Sequence, residues 1–254
     1  MFLDSDDYWC INDCLAQLYT KSQELGVDIV RGEYNAVDEA GNLLFERALN
    51  TSKQQAINKI LTPYQFLTEV IQGEFFLWLA LFKKSAIGDV RFNMGKCFLE
   101  DLELYAHIFS QSPPLCAYFP LRFYAYRKHE QAISAISTHN KLQDSFAMCD
   151  IFASLATKCS HDVLLQQYYQ YNAIMMYYWT LETLSQNPYY HTRAAIIENL
   201  GIKELQKRTS ERVHQFKIFN KYYLFFVCPP AIGLHLCRWK TKVSTLLHHQ
   251  KSHI

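Results

Sequence analysis

Apolar residues recur along most of the chain at the three- and four-residue spacing of helices that bury one face. The chain contains only eight glycines and seven prolines among 254 residues, and most of them lie between these periodic runs. Glycine and proline residues in those positions separate consecutive helices and do not interrupt a helix. The clearest apolar stripes lie within residues 93–110, as Phe98, Leu102, Tyr105 and Phe109, and within 232–249, as Ile232, Leu236, Trp239, Val243 and Leu246.

This pattern predicts an all-α protein, built as a multi-helix bundle or as an irregular helical-hairpin, solenoid-like array. A helix is expected over residues 121–136, after Pro120. One small β-hairpin is expected near residues 27–45, where Gly41 and Asn42 suit a tight turn. The linkers are short, so we expect a single helical domain over residues 1–254, with a subdivision into 1–115 and 116–254 as the alternative.

Residues 163–181 carry no charged side chain and are apolar or aromatic around nearly the whole helical circumference. Four side-chain amides in this stretch argue against a membrane-spanning helix, because each amide would need a partner in lipid. A helix that is apolar on all sides is normally buried among other helices. We therefore expect Tyr168, Met175 and Tyr178 to be buried.

The formal net charge of +1 hides an uneven distribution. Residues 1–50 are rich in acids, whereas residues 201–254 hold ten Lys and Arg against two Glu. This polarity indicates either docking of the two ends or a basic face for an acidic partner. The first residues, MFLDSDDYW, lack a signal-peptide pattern, and the eight cysteines form no disulfide framework. Both features favour the cytoplasm of the producing cell or of a host.

Candidate metal ligands are few and lack the companions that a metal site needs. His161 and Asp162 would require further His and Asp ligands, and Glu211 with His214 would require a second such pair. Cys228, His235, Cys237 and either His248 or His249 form a soft-ligand set without the tight spacing of structural zinc sites. The sequence therefore predicts no metal, no cofactor and no catalytic residue.

The absence of catalytic motifs and the abundance of Tyr and Trp favour a non-catalytic protein-interaction module. Such a module could be an adaptor, an assembly subunit or a secreted effector that binds a partner protein. The candidate partner-binding residues are Arg208, Arg212 and Lys217. The alternatives are an enzyme with a dispersed helical active site and a binder of anionic membrane surfaces through the basic C-terminal region, which includes the uncharged run 222–237. Nucleic acid is disfavoured, because the chain is nearly neutral.

Overall fold

The computed structural model divides into two compact units. The first comprises Met1–Met94 and Glu100–Ser137, and the second comprises Gly95–Leu99 and Thr138–Ile254. The single domain over residues 1–254 and the alternative division into 1–115 and 116–254 both stay predictions. The structure describes residues 1–46, 48–96, 98–111, 113–128, 139–186, 201–213 and 222–251.

The first unit is built on a six-stranded mixed sheet with the neighbour order β1-β6-β2-β3. The two long central strands, β2 and β6, run parallel, and the remaining pairs are antiparallel. Strand β4 pairs with β6, and β5 pairs with β2. The strands are β1 (Tyr8–Trp9), β2 (Ile29–Val37), β3 (Leu43–Glu46), β4 (Ile60–Leu61), β5 (Ala80–Phe82) and β6 (Cys116–Arg127).

This sheet shows that the all-α prediction is wrong. The expected hairpin region contains β2 and β3, but β2 lies inside the larger sheet. Residues 121–127 of the helix predicted over 121–136 belong instead to β6, a run rich in aromatic residues of the kind that pack well on a pleated surface. Residues 129–136 lie outside the described residues. Pro120 lies where the ladder to β2 skips from Tyr118 to Arg122, so its missing N–H costs no ladder bond to β2.

Gly32 permits the close approach of β2 and β6 at an irregularity in their register. A Cβ atom at this position would lie 2.6 Å from the ring of Phe123 and 2.8 Å from the carbonyl oxygen of Leu121. Both distances are shorter than a carbon atom tolerates. The two central strands can therefore pair here only because this residue has no side chain.

Short helices cover the sheet of the first unit. Helix α1 begins after Asp13 and ends at Gly26, which adopts the left-handed conformation. Helix α5 buries Leu102, Tyr105 and Phe109. The elements are α1 (Cys14–Leu25), α2 (Thr51–Ala56), α3 (Pro63–Gln65) followed by a π-helix (Phe66–Ile71), a 3-10 turn (Leu77–Leu79), α4 (Lys84–Ile87) and α5 (Glu100–Gln111).

A buried ionic network joins β2, α2 and β6. Lys53 Nζ lies 2.7 Å from an oxygen of Glu33 and 3.3 Å from an oxygen of Glu74. The hydroxyl of Tyr118 donates to the same oxygen of Glu33 over 2.6 Å, and Arg31 donates to the carbonyl of Glu74 over 2.8 Å. Two cations thus face two carboxylates, which is the condition under which buried charges are tolerated.

The second unit is helical, with α6 (His139–Lys158), α7 (Val163–Gln186), α8 (Ile202–Val213), α9 (Tyr223–Val227) and α10 (Pro230–Lys251). Helix α7 packs against the other four. Met175 and Tyr178 are buried as predicted, whereas Tyr168 is half-buried. Within the described ranges, no helix has the length and apolar character needed to cross a bilayer.

Candidate active site

The beginning of the chain lies at the carboxyl edge of the sheet's central strands. Because β1 is antiparallel to β6, Tyr8 pairs with Ala125 and the preceding Asp7 lies beside Arg127. The backbone N–H of Arg127 donates to Oδ1 of Asp7 over 2.7 Å. The parallel strands β2 and β6 both end here, at Val37 and Arg127. In open α/β sheets, ligands bind in the crevice at the carboxyl ends of the strands.

A tight turn presents the acidic residues at this edge. The amide of Asp7 donates to the carbonyl of Asp4 over 3.3 Å, and the amide of Asp4 donates to the hydroxyl of Tyr124 over 3.2 Å. The ring of Tyr124 is fully buried and stacks on Trp78, with 4.1 Å between ring centroids. The turn is therefore tied to the core, while the side chains of Asp4 and Asp6 are exposed.

Asp101 joins this group from the first turn of α5. The backbone N–H of Leu77 donates to Oδ2 of Asp101 over 3.2 Å. The pKa of Asp101 is raised to about 7, mainly by burial and further by the charges of Glu100 and Asp4, with the Leu77 hydrogen bond acting in the opposite direction. A carboxyl group with a pKa near neutrality can accept and release a proton at physiological pH.

We define the carboxylate cluster as Asp4, Asp6, Asp7, Glu100 and Asp101. Partial burial of its carboxyl group raises the pKa of Asp4, and Asp7, Asp6 and Glu100 raise it further by repulsion. The pKa of Asp7 is also raised, first by burial, although the amide and the charge of Arg127 act in the other direction. These five side chains therefore lie within electrostatic range of their neighbours in the cluster.

Arg127 brings a partly satisfied cation to this edge. Among the described residues, its buried Nε has no hydrogen-bond partner, and its guanidinium group stands over the ring of Tyr8 at 5.7 Å. Buried polar atoms are normally paired, so an unpaired one indicates a place where a ligand or water binds. The edge combines a cation, several carboxylates and an unsatisfied N–H group.

The carboxylate cluster does not supply a metal site as it stands. Over the described residues, no three His, Cys, Asp or Glu side chains are arranged so that they could hold a metal ion. This holds for Asp4, Asp6 and Asp7, and also for the sequence candidates His161, Asp162, Cys228 and Cys237. His214 lies outside the described residues, and nothing is described of the side chains of Glu211, His248 and His249.

The residues predicted to bind a partner all belong to the second unit. Arg208 is exposed on α8. Arg212 lies on the same helix and forms an ion pair with Asp150 of α6, with 2.6 Å between Nη1 and Oδ1. Lys217 lies outside the described residues. Partner binding by these three residues stays a prediction.

Sequence reasoning missed the carboxylate cluster. Asp4, Asp6 and Asp7 counted only as part of an acidic beginning, and Asp101 was not singled out within the apolar stripe of residues 93–110. Three aspartates within four residues, placed directly before a strand-forming Tyr-Trp pair, were the available signal. Their link to Asp101 could not be read from sequence, because it arises from the pairing of β1 with β6 and from the contact between Leu77 and Asp101.

Comparisons with known proteins show similarity at the level of structure. No family model matches the sequence, and no curated protein matches it. A crystal structure of S. aureus TarS residues 1–349 is similar, with a TM-score of 0.59 and 11% identity over 96% of this chain. The same TarS region in complex with UDP-GlcNAc gives a TM-score of 0.62 and 12% identity, again over 96% of this chain. The chain spans 66% and 67% of those TarS chains.

At this level of identity the likeness shows the fold, which is that of an α/β protein with a mixed sheet. It overturns the all-α prediction. TarS is a glycosyltransferase, and one of the two structures holds a nucleotide sugar. The prediction of a non-catalytic adaptor, assembly subunit or effector is therefore wrong, and the enzyme alternative is the better supported one.

Proposed function

We propose that the chain is part of a glycosyltransferase that transfers a sugar from a nucleoside diphosphate sugar to a hydroxyl group. The observation that carries the proposal is the Asp101 carboxyl group, which is held by Leu77 and has a pKa of about 7. A general base works best when its pKa lies near the operating pH. The structural likeness to TarS with bound UDP-GlcNAc supports a nucleotide sugar as the donor.

In the proposed reaction, Asp101 removes the proton from the acceptor hydroxyl as its oxygen attacks the anomeric carbon of the donor sugar. A new bond forms between that oxygen and the anomeric carbon. The bond between the anomeric carbon and the diphosphate oxygen breaks, and its electron pair leaves with the nucleoside diphosphate. Asp101 then releases the proton to solvent. The base must start the cycle ionised, which its pKa allows at and above neutrality.

The diphosphate of the donor is negatively charged and would be repelled by the carboxylate cluster. A positively charged side chain is therefore needed to bind it at this edge. Arg127 provides a cation at this edge, since its charge lowers the pKa of Asp7. We assign Arg127 to the leaving diphosphate, because a guanidinium group binds phosphate oxygens through several N–H donors.

The experiment that tests the proposal combines donor binding with donor turnover. Binding of UDP-GlcNAc is measured by calorimetry, with and without Mn²⁺, and release of UDP is followed in the presence of a panel of sugar acceptors. Asp101→Asn is compared with the wild type and with Asp89→Asn, which changes an exposed aspartate outside the carboxylate cluster.

We expect Asp101→Asn to bind the donor and to release UDP about 10²- to 10⁴-fold more slowly, which is the usual contribution of a general base. Asp89→Asn should behave as the wild type. Equal rates in Asp101→Asn and the wild type would refute the assignment of the base. Failure of the wild type to bind any nucleotide sugar would refute the proposed function as a whole.

A further inference from the structure

The first half of α10 exposes three large apolar side chains along one line. Ile232, Leu236 and Trp239 follow each other at four- and three-residue spacing and are 50%, 40% and 64% exposed. We call these three residues the α10 stripe. Large apolar side chains grouped on one helix face are uncommon on the surface of a soluble protein and mark a place where another apolar surface binds.

The orientation of α10 is fixed by contacts on its other faces. Leu234 and Cys237 are fully buried, and a Cβ atom at Gly233 would touch Leu181 of α7 at 3.0 Å. Arg238 donates to the carbonyl of Ser185 on α7 over 3.3 Å. The face of α10 that carries Leu234 and Cys237 is the one that packs inside the second unit. The α10 stripe lies on a different face, which is exposed.

Two polar contacts beside the stripe strengthen this orientation. Lys240 donates to Glu182 of α7 over 2.8 Å and also to the hydroxyl of Tyr178. Its side chain nevertheless remains 56% exposed, so its charge contributes to the surface next to Trp239. The stripe is thus held on a docked helix, beside a Lys240 ammonium group that is paired with Glu182.

The charge of α10 itself favours one kind of partner. The sequence of this helix, Pro230–Lys251, contains four Lys and Arg and no Asp or Glu. The preceding helix, α9, also exposes Leu224 and Val227, which are 67% and 43% exposed. A helix that combines a basic character with an exposed Trp and aliphatic residues is typical of segments that lie in the plane of an anionic lipid surface. Trp side chains favour the depth of the lipid headgroups.

We infer that the α10 stripe inserts into the headgroup region of an anionic phospholipid surface, with α10 lying along it. The apolar side chains supply the binding energy through burial, and the basic residues attract the helix to the negative surface. This inference concerns a surface of the second unit and is independent of the proposed transfer reaction. It requires no membrane-spanning segment.

Vesicle co-sedimentation of the full chain tests the inference. One set of vesicles contains phosphatidylcholine and phosphatidylglycerol, and the other contains phosphatidylcholine alone. The test variant is Leu236→Ser with Trp239→Ser. The matched control is Trp179→Ser, which removes a tryptophan that is also 50% exposed but lies on α7, outside the stripe. Circular dichroism confirms that both variants keep their helices.

The wild type and Trp179→Ser should bind the anionic vesicles, more weakly as salt is added, and should bind pure phosphatidylcholine poorly. The stripe variant should lose about tenfold or more in affinity for the anionic vesicles. Equal binding of the stripe variant and the wild type would overturn the inference. So would absence of wild-type binding, or a wild-type dimer in solution that the stripe variant converts to monomer, since a second copy would then cover the stripe.

Discussion

The backbone N–H of Leu77 donates a hydrogen bond to Oδ2 of Asp101 over 3.2 Å. This bond favours the ionised carboxylate, whereas burial and the neighbouring charges of Glu100 and Asp4 favour the protonated acid. Burial is the largest of these effects, so the pKa of Asp101 rises to about 7. The same contact therefore orients the carboxyl group and leaves it able to exchange a proton near neutral pH.

The raised pKa of Asp101 predicts a pH-dependent stability. In the unfolded chain this carboxyl titrates near 3.8, and in the folded protein it titrates near 7. Between these values the folded state binds more protons, so the free energy of unfolding contributed by Asp101 falls as the pH rises from about 4 to about 7. Urea unfolding at a series of pH values should show the wild type losing stability relative to Asp101→Asn across this window. Parallel curves for the two proteins would contradict the raised pKa, and Asp89→Asn should follow the wild type.

The buried network around Lys53 predicts a strongly non-additive pair of substitutions. Lys53→Met leaves the carboxylate of Glu33 buried without its ammonium partner, which lies at 2.7 Å, and should cost about 3–5 kcal/mol. Adding Glu33→Gln removes the unpaired charge and should recover a large part of that loss. Chemical unfolding of the two single variants and the double variant measures the coupling. Additive costs would show that the two side chains do not form a buried ion pair.

The contact between Arg212 and Asp150 changes how the predicted partner-binding face should be tested. Arg212→Glu places two carboxylates where the structure has an ion pair of 2.6 Å, and it should lower the stability of the second unit by about 0.5–1 kcal/mol, since both side chains are partly exposed. Asp150→Arg combined with Arg212→Glu should restore it. Arg208→Glu, at an exposed position, should leave the melting temperature unchanged and is the cleaner probe of partner binding. Failure of the charge swap to restore stability would argue against the ion pair.

The spacing of apolar residues correctly predicted helices whose buried positions follow the helical period. Helix α7 and the buried positions Met175 and Tyr178 are of this kind, as is the stripe of Leu102, Tyr105 and Phe109 in α5. Strand β6 was mistaken for a helix because its apolar residues are nearly continuous. A central strand buried on both faces shows no alternation, so its periodicity does not distinguish it from a buried helix.

The candidate active site was beyond sequence reasoning for a different reason. Asp4 and Asp101 are far apart in the chain, and neither carries a recognisable motif partner next to it. Strand pairing places Asp7 beside Arg127, and the amide of Leu77 holds Asp101. Burial is the largest cause of the raised pKa of Asp101, ahead of the charge of the adjacent Glu100, so only the tertiary structure shows that Asp101 can act as a base.

The pH dependence of kcat/KM for release of UDP from UDP-GlcNAc tests the central claim most directly. Because Asp101 must be ionised to accept the proton, the rate should rise with pH through an apparent pKa of about 7 and then level off. Asp101→Asn should be slower by about 10²- to 10⁴-fold and should lack this rise. A wild-type profile without a transition near pH 7, or an Asp101→Asn variant that keeps the same transition, would contradict the assignment of Asp101 as the base.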